Sequence, residues 1–263
     1  MASLIGGELA RRGVPFTLFD REWPADFNAF SHAWIVGGDG TLNYFINQYP
    51  GISIPLSVFP GGSGNDLHWM LYGDTAPNDQ VRGLLAGEAA PVDAGICNGR
   101  LFINGAGIGF DGAIVKDLLG RKKMAGKATY LLSILKNIMR YHETDCTLTI
   151  GSEVVRKKTF LLSVANGKRY GGGFLVAPRA IADDGLLDIS LVGAISPLKR
   201  IRYLPVMERG EHMDLPFVVY RQATGVVVAC DRPLHAHLDG EYLFADRFEI
   251  TILPKKFLFS RLA

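Results

Sequence analysis

The chain has 263 residues, 48% of them apolar and 21% charged, proportions of a soluble globular protein that exclude a disordered or collagen-like one. Its 28 lysines and arginines against 26 aspartates and glutamates leave a formal charge of +2, too balanced for a nucleic-acid partner held by phosphate neutralisation. No apolar run approaches the roughly 18 residues of a membrane-spanning helix, and the N-terminus lacks the charged-then-apolar layout of a secretory leader, so a cytoplasmic location is expected. Cys97, Cys146 and Cys230 lie far apart with no CxxC pair, which argues against structural zinc and disulfides and for buried thiols.

Residues Ser3 to Gly13 read as a short helix closed by Gly13 at the C′ position, followed by a strand from Val14 to Phe19. An α/β unit normally opens with a strand that such a helix covers, so part of the first unit is expected to be missing. Ala33-Trp34-Ile35-Val36 suits a central parallel strand and runs into Gly37-Gly38-Asp39-Gly40-Thr41, after which Leu42, Phe45 and Ile46 fall at helical spacing. The plan repeats with Ile54 to Phe59 as strand, Pro60 to Asp66 as loop and Leu67 to Leu71 as helix.

Beyond Pro91 the texture changes to glycine-punctuated strands at Arg100 to Asn104, Cys146 to Ile150, Thr159 to Asn166, Leu186 to Val192, Gly225 to Ala229 and Phe248 to Leu253, an antiparallel β domain. One helix interrupts it, with Leu131, Ile134, Leu135 and Ile138 as its apolar stripe, after the basic Arg121-Lys122-Lys123 and Lys127.

In open parallel sheets ligands bind beyond the carboxyl ends of the strands, where loops and helix N-termini point backbone N–H groups at anions. Two successive glycine loops there make a phosphate cradle, since a Cβ would forbid positive φ and hold a phosphate off the backbone. Neither loop is a Walker A sequence or a Rossmann fingerprint. The plain alternative is a pair of tight strand-to-helix turns with Asp39 or Thr41 as an N-cap. A carboxylate such as Asp39 among phosphate-binding amides would repel the ligand unless Mg²⁺ sat between them, which implies a metal-nucleotide complex.

Gly37-Gly38-Asp39-Gly40-Thr41 together with Pro60-x-Gly62-Ser63-Gly64-Asn65-Asp66 resembles the diacylglycerol kinase catalytic family, which includes bacterial lipid kinases and sphingosine kinases. The resemblance continues through Asn104 to Asp111, Asn166-Gly167 with Gly171-Gly172-Gly173, Ala177-Pro178, Asp184-Gly185-Leu186-Leu187-Asp188 and Leu238-Asp239-Gly240-Glu241. The first loop alone is shared with NAD kinases and phosphofructokinases; the ordered set is specific.

The resemblance implies an α/β nucleotide-binding domain with a parallel sheet, a β-sandwich domain, and an active site in the cleft between them. On the sequence, residues 1–91 form the first, with residues 255–263 as candidates to return to it, and residues 92–254 form the second. It also implies ATP and Mg²⁺ as cofactors, with the γ-phosphate passing to a lipid hydroxyl, diacylglycerol or a related lipid. Nucleotide-binding candidates are Gly37, Gly38, Asp39, Gly40, Thr41, Gly62, Ser63, Gly64 and Asn65. The family normally opens with a strand and an Asn-Pro-x-Ser-Gly loop, and this sequence starts downstream of both.

Asp239-Gly240 between apolar runs is in itself a strong hairpin-turn signal. Beside the family set, Asp239 becomes the group that takes the proton from the lipid hydroxyl, and Glu241 the group that positions it or helps organise Mg²⁺. Asp39 is the alternative base, and otherwise organises the Mg²⁺-phosphate end. His235, His237, Asp239 and Glu241 would share a strand face as a metal site only if no turn broke the alternation. Asp184, with Asp183 and Asp188 nearby, matches the family's segment for a second, structural Mg²⁺ held by carboxylate and backbone oxygens, here Asp184 and Leu186; the plain alternative is a turn.

The expected partners are a lipid substrate and, by reversible peripheral contact, the inner face of a membrane, where the basic stretch from Arg121 could touch anionic headgroups. Pairing into a homodimer is left open. Two rival readings remain: a soluble-substrate kinase of the NAD kinase type, and a lipid- or nucleotide-binding protein impaired in catalysis.

Overall fold

The computed structural model describes residues 1–119 and 127–263. Helix α1 (Ala2–Arg11) buries Ile5 and Leu9, one turn apart. It ends in a Schellman motif: Gly13, at φ +67°, donates its N–H to Ala10 O at 3.1 Å, and Val14 N–H reaches Leu9 O at 3.0 Å. The strand expected from Val14 to Phe19 does not form. Pro15 lacks a donor, Phe16 and Leu18 are exposed, and among the described residues no strand lies alongside to pair with. The segment instead leads into an aromatic cluster in which Trp23 and Phe27 pack on Phe45.

Two strand-to-helix units follow: β1 (Ala33–Gly37) with α2 (Asp39–Gln48), then β2 (Leu56–Pro60) with α3 (Asp66–Tyr72). β1 and β2 are parallel, and α2 turns Leu42, Phe45 and Ile46 inward as their spacing demands. α4 (Pro77–Ala86) comes next, unforeseen although Pro77 at its first turn is a start signal.

The remaining elements are β3 (Ala89–Cys97), β4 (Arg100–Phe102), β5 (Gly105–Gly109), α5 (Phe110–Leu118), α6 (Lys127–Arg140), β6 (Thr144–Ile150), β7 (Glu153–Ala165), β8 (Leu187–Gly193), α7 (Pro197–Glu208), β9 (Val218–Ala223), β10 (Gly225–Leu238) and β11 (Glu241–Ser260). Helices α5 and α7 thus join the single one expected in this half. In α6, Ile134 and Ile138 are buried while Leu135 is exposed, so the apolar stripe is narrower than it reads. Arg121, Lys122, Lys123 and the side chains of Lys127 and Leu131 lie outside the described residues.

The strands hydrogen-bond in the order β1-β2-β11-β10-β5-β7-β8-β9, with β3 beside β11 and β4, and β6 beside β10 and β7. β11 runs for 20 residues and serves two cores. Its first part pairs antiparallel with β10 and carries Phe248, Ile250 and Ile252 into the β-rich core; its end carries Phe257 and Phe259 into the core under β1 and β2, where Phe259 pairs parallel with Leu56. The register slips between Leu253 and Phe257, and buried Asp93 on β3 pins that slip by accepting Lys255 N–H at 2.6 Å and Gly185 N–H at 2.7 Å. Residue 91, where the texture changes, falls inside β3 rather than in a linker.

α5 lies directly on β10, and Gly112 is the point of closest approach: a methyl group built there would stand 2.1 Å from the His235 carbonyl. Gly112→Ala should therefore destabilise by about 1–3 kcal/mol or more through backbone overpacking. Gly7→Ala in α1, where a Cβ meets nothing within 4 Å, should be neutral or gain up to about 1 kcal/mol of helix propensity. Urea unfolding of both variants checks this, and equal midpoints would contradict it.

Candidate active site

The two glycine loops touch each other. A Cβ on Gly62 would lie 2.6 Å from the Gly38 Cα, and one on Gly61 3.0 Å from the Gly37 Cα, while Gly61 N–H donates to Gly37 O at 3.1 Å. Gly37 also leaves room for Thr41, whose side chain folds to 2.5 Å of where its Cβ would be. The expected need for positive φ is corrected, because none of Gly37, Gly38, Gly40, Gly61, Gly62 and Gly64 adopts it; close backbone packing is what requires glycine here.

Asn65, at φ +53°, closes the second loop from within: its Oδ1 accepts Gly61 N–H at 3.2 Å and Gly62 N–H at 2.8 Å, and its Nδ2 donates to Gly62 O at 2.9 Å. Among the nucleotide-binding candidates, Gly62 and Asn65 thus use these groups to hold the loop's shape. The outward-facing parts are the exposed Ser63 and the start of α2, where the amides of Asp39 and Gly40 have no acceptor within the helix. Those two amides and the helix dipole form an anion-attracting end.

Asp39 reaches across to α3. Its Oδ2 accepts Asp66 N–H at 3.1 Å and its Oδ1 accepts Leu67 N–H at 3.0 Å, capping a helix whose own N-cap residue makes no side-chain cap. Asp66 is buried, with Arg169 Nε 2.9 Å from its Oδ1 and Gly172 N–H donating to Oδ2 at 2.9 Å. Gly172 sits at φ +78° in the Gly171-Gly172-Gly173 run, a conformation that favours glycine. Arg169 in turn lies 4.1 Å over the Trp69 ring. The two carboxylates converge at Gly64, where a Cβ would be 2.9 Å from Asp39 Oδ2 and 3.2 Å from Asp66 Oδ2. Burial, then the Asp39 charge, pushes the Asp66 carboxyl above its usual range.

Such a like-charge pair suits a divalent cation. Each Asp39 oxygen accepts one N–H and keeps a lone pair, so the donor chemistry fits Mg²⁺. Among the described residues no three His, Cys, Asp or Glu side chains group as a cage. One or two carboxylates with water and phosphate oxygens completing the shell is the usual Mg²⁺ arrangement.

Asp239 and Gly240, at φ +50° and +88°, form the two-residue turn between β10 and β11. The turn reading of this dipeptide is thus correct, but the side chain does more. Asp239 Oδ1 accepts the N–H groups of Asn104 at 2.9 Å and Gly105 at 3.0 Å; Oδ2 accepts Ile103 N–H at 2.7 Å and Asn43 Nδ2 at 3.2 Å. Four donors fill the four acceptor positions of a carboxylate. Burial pushes the group up to about 6 despite those bonds. Glu241, by contrast, is exposed, and its Oε1 lies 2.6 Å from where a Gly40 Cβ would be, at the start of α2. Asp39, Asp66 and Glu241 therefore gather around the two loops, and Asp239 is tied to the same helix through Asn43.

His235 and His237 do not join a metal site. The turn breaks the alternation, buried His237 accepts Gly240 N–H at 3.2 Å through Nδ1 and is held neutral by a value pushed down to about 4, and His235 meets Lys116 Nζ at 3.0 Å and the Tyr242 hydroxyl at 2.7 Å. Asp184 is exposed and its Oδ1 accepts Leu186 N–H at 2.9 Å, a local turn bond. Asp188 is buried and accepts the Tyr220 hydroxyl at 2.5 Å.

Sequence reasoning assigned no role to Asn43, Arg169, Tyr170 or Asp111. Tyr170 donates to Asp111 Oδ2 at 2.8 Å, its ring meets His237 edge-on at 5.0 Å, and burial pushes Asp111 up to about 6. Asn43 had a signal, being a polar residue on the apolar stripe of its helix; Arg169 had none, because its partner is distant in sequence.

Residues 23–97 match the family described as the diacylglycerol kinase catalytic domain, and residues 105–258 that described as the YegS C-terminal NAD kinase beta sandwich-like domain. A diacylglycerol kinase of Mycobacterium tuberculosis (strain ATCC 25618 / H37Rv) is 30% identical over 229 residues, covering 84% of this chain and 73% of the relative. A Pseudomonas syringae pv. tomato protein named "Probable lipid kinase YegS-like" is 32% identical over 244 residues, covering 86% and 75%. Among solved structures, a diacylglycerol kinase from Bacillus anthracis str. Sterne superposes with a TM-score of 0.64 at 22% identity, over 87% of this chain and 75% of that one. An NAD kinase from Archaeoglobus fulgidus in complex with ATP gives 0.58 at 16% identity, over 100% and 89%. Both structures show a common mixed α/β fold.

Asp111 and Asp239 both titrate near 6 in the folded chain, above the ordinary 3.8. Between about pH 4 and 6 the folded state then binds more protons than the unfolded one, so these groups make stability fall as pH rises through that window. Asp111→Asn, which keeps an acceptor for Tyr170, should flatten that fall by roughly 1–3 kcal/mol. Urea titrations from pH 4 to 7 measure it, and an unchanged slope would remove Asp111 from the account.

Proposed function

The chain belongs to the family of diacylglycerol kinases and YegS-like lipid kinases, and from that premise we propose that it transfers the γ-phosphoryl group of ATP to the hydroxyl of diacylglycerol or a related lipid, with Mg²⁺. The observation that carries the reading is the convergence of Asp39, Asp66 and Glu241 on the start of α2, with Asp239 tied to that helix from the β10–β11 turn. In this reading residues 1–91 with 255–263 take the nucleotide, and residues 92–254 take the lipid. The return of Phe259 to the side of Leu56 supports the first grouping.

The amides of Asp39 and Gly40, with the exposed Ser63, receive phosphate oxygens at the α2 end. Asp39, with Asp66 beside it, would hold Mg²⁺, whose charge offsets that of the phosphates during transfer. Glu241, exposed above Gly40, orients the lipid hydroxyl. Asp239 takes its proton. Because all four acceptor positions of Asp239 are filled, the long Asn43 bond of 3.2 Å is the one that gives way, freeing Oδ2 for the hydroxyl. A carboxylate near 6 is well matched to that task at neutral pH. Asp184 and the Leu186 carbonyl remain the proposed place for a second, structural Mg²⁺, supported by the surface position of that turn. For access to a bilayer, exposed Leu119 at the end of α5, with Leu135 and Met139 on α6, supports reversible contact with a membrane surface.

The test is radiolabel transfer from ATP to diacylglycerol, monoacylglycerol, ceramide and NAD, with the lipids in mixed micelles. Label should enter a lipid and not NAD. Asp239→Asn should lower turnover roughly 10²- to 10⁴-fold in protein shown by circular dichroism to be folded, and the wild-type rate should fall as pH drops below about 6. Asp39→Asn should raise the Mg²⁺ concentration for half-maximal rate about tenfold or more. Retained turnover in Asp239→Asn would pass the base role to Glu241, and label only in NAD would overturn the lipid reading.

A further inference from the structure

The three thiols that the sequence scatters are not isolated in space. Cys97 is fully buried, but Cys146 on β6 and Cys230 on β10 are direct cross-strand partners, 84 positions apart in the chain, with their sulfurs 2.9 Å apart. Opposed residues of antiparallel strands have Cα separations of about 4.5–5.5 Å. Disulfides need about 4.4–6.8 Å and a sulfur–sulfur bond of about 2.05 Å, so the bond can close with a small side-chain shift and no strand movement.

We infer that Cys146 and Cys230 form a redox pair that hydrogen peroxide converts to an intramolecular disulfide, clamping β6 to β10. The two sulfurs differ in character. They share one hydrogen bond that either sulfur can donate; it holds the Cys146 thiol below its ordinary range, while the same bond and burial push Cys230 up. Cys146 is covered, and the partly exposed Cys230 is the way in for a small oxidant.

The Cys146 thiolate attacks one peroxide oxygen; the O–O bond breaks and hydroxide leaves, becoming water with the proton that Cys146 gave up. The Cys230 sulfur then attacks the sulfenic sulfur, the S–S bond forms, the S–O bond breaks, and a second water leaves with the Cys230 proton. Two thiols lose two electrons and one peroxide gains them.

The clamp falls where it matters mechanically. Cys230 lies within the stretch, between Ala229 and Leu234, where the register of β10 with β11 slips, and β10 then continues to the Asp239 turn. A cross-link at its edge fixes that irregular segment and closes a long loop in the unfolded chain.

Treatment of the whole protein with hydrogen peroxide should reduce the thiols titratable in denaturant from three to one, the survivor being Cys97. Peptide mass spectrometry should find the Cys146 and Cys230 peptides joined and lighter by two hydrogens. Tm should rise by about 5 °C or more and return with dithiothreitol. Cys97→Ser should behave like the wild type with no thiol left, whereas Cys146→Ser and Cys230→Ser, checked for an intact fold, should show no Tm rise. Three surviving thiols, a sulfinic acid at either position without the joined peptide, or a dimer linked through Cys230 would each overturn the assignment.

Discussion

A single buried carboxylate ties the β10–β11 turn both to the β4–β5 link and to α2. Asp239 takes three backbone N–H groups from the link between β4 and β5 and one side-chain N–H from α2, and its own N–H returns to Gly105 O at 3.0 Å. Hydrogen bonds of this kind favour the ionised form, while burial disfavours it, and here burial wins. The cost of that burial implies a use. The hairpin turn is held against the very helix whose first amides face the glycine loops, so one side chain and its four donors govern the separation between that turn and the α2 start.

The same economy governs the loops. Gly38, Gly61 and Gly62 let two backbones meet at van der Waals distance, and that contact brings the β1 and β2 turns together so that Asp39 can cap α3. Asn65 then takes up the inner amides, so the surface left for an anion is the α2 start and the loop tip. A cradle built entirely from loop amides would need those inner N–H groups turned outward, and the shape of the loop would be lost with them.

What could be read from the sequence divides by distance along the chain. The strand-to-helix units, the closure of α1 at Gly13 and the Asp239-Gly240 turn are local, written in periodicity and in residues that tolerate positive φ. Val14 to Phe19 misled because β-formers define a strand only beside a neighbour. α4 and α7 were overlooked although each begins with proline in its first turn. The site is harder. Asp39 and Asp239 lie in recognisable motifs, but the Arg169–Asp66 pair, the Asn43–Asp239 bond and the Cys146–Cys230 contact join residues that only the sheet order brings together. The double duty of β11, one strand in two cores, is likewise invisible until its partners are known.

The charges at the site constrain what can bind there. Asp39, Asp66 and Glu241 surround the loops, Arg169 is held by Asp66 and stacked on Trp69, and the α2 dipole offers only about half a positive charge. An unaccompanied triphosphate would bring several negative charges against three carboxylates, a repulsion that two open amides cannot offset. On the proposed function, the anion would therefore come to these residues together with a divalent cation. The same carboxylates that would oppose a bare phosphate would then favour its metal-bound form.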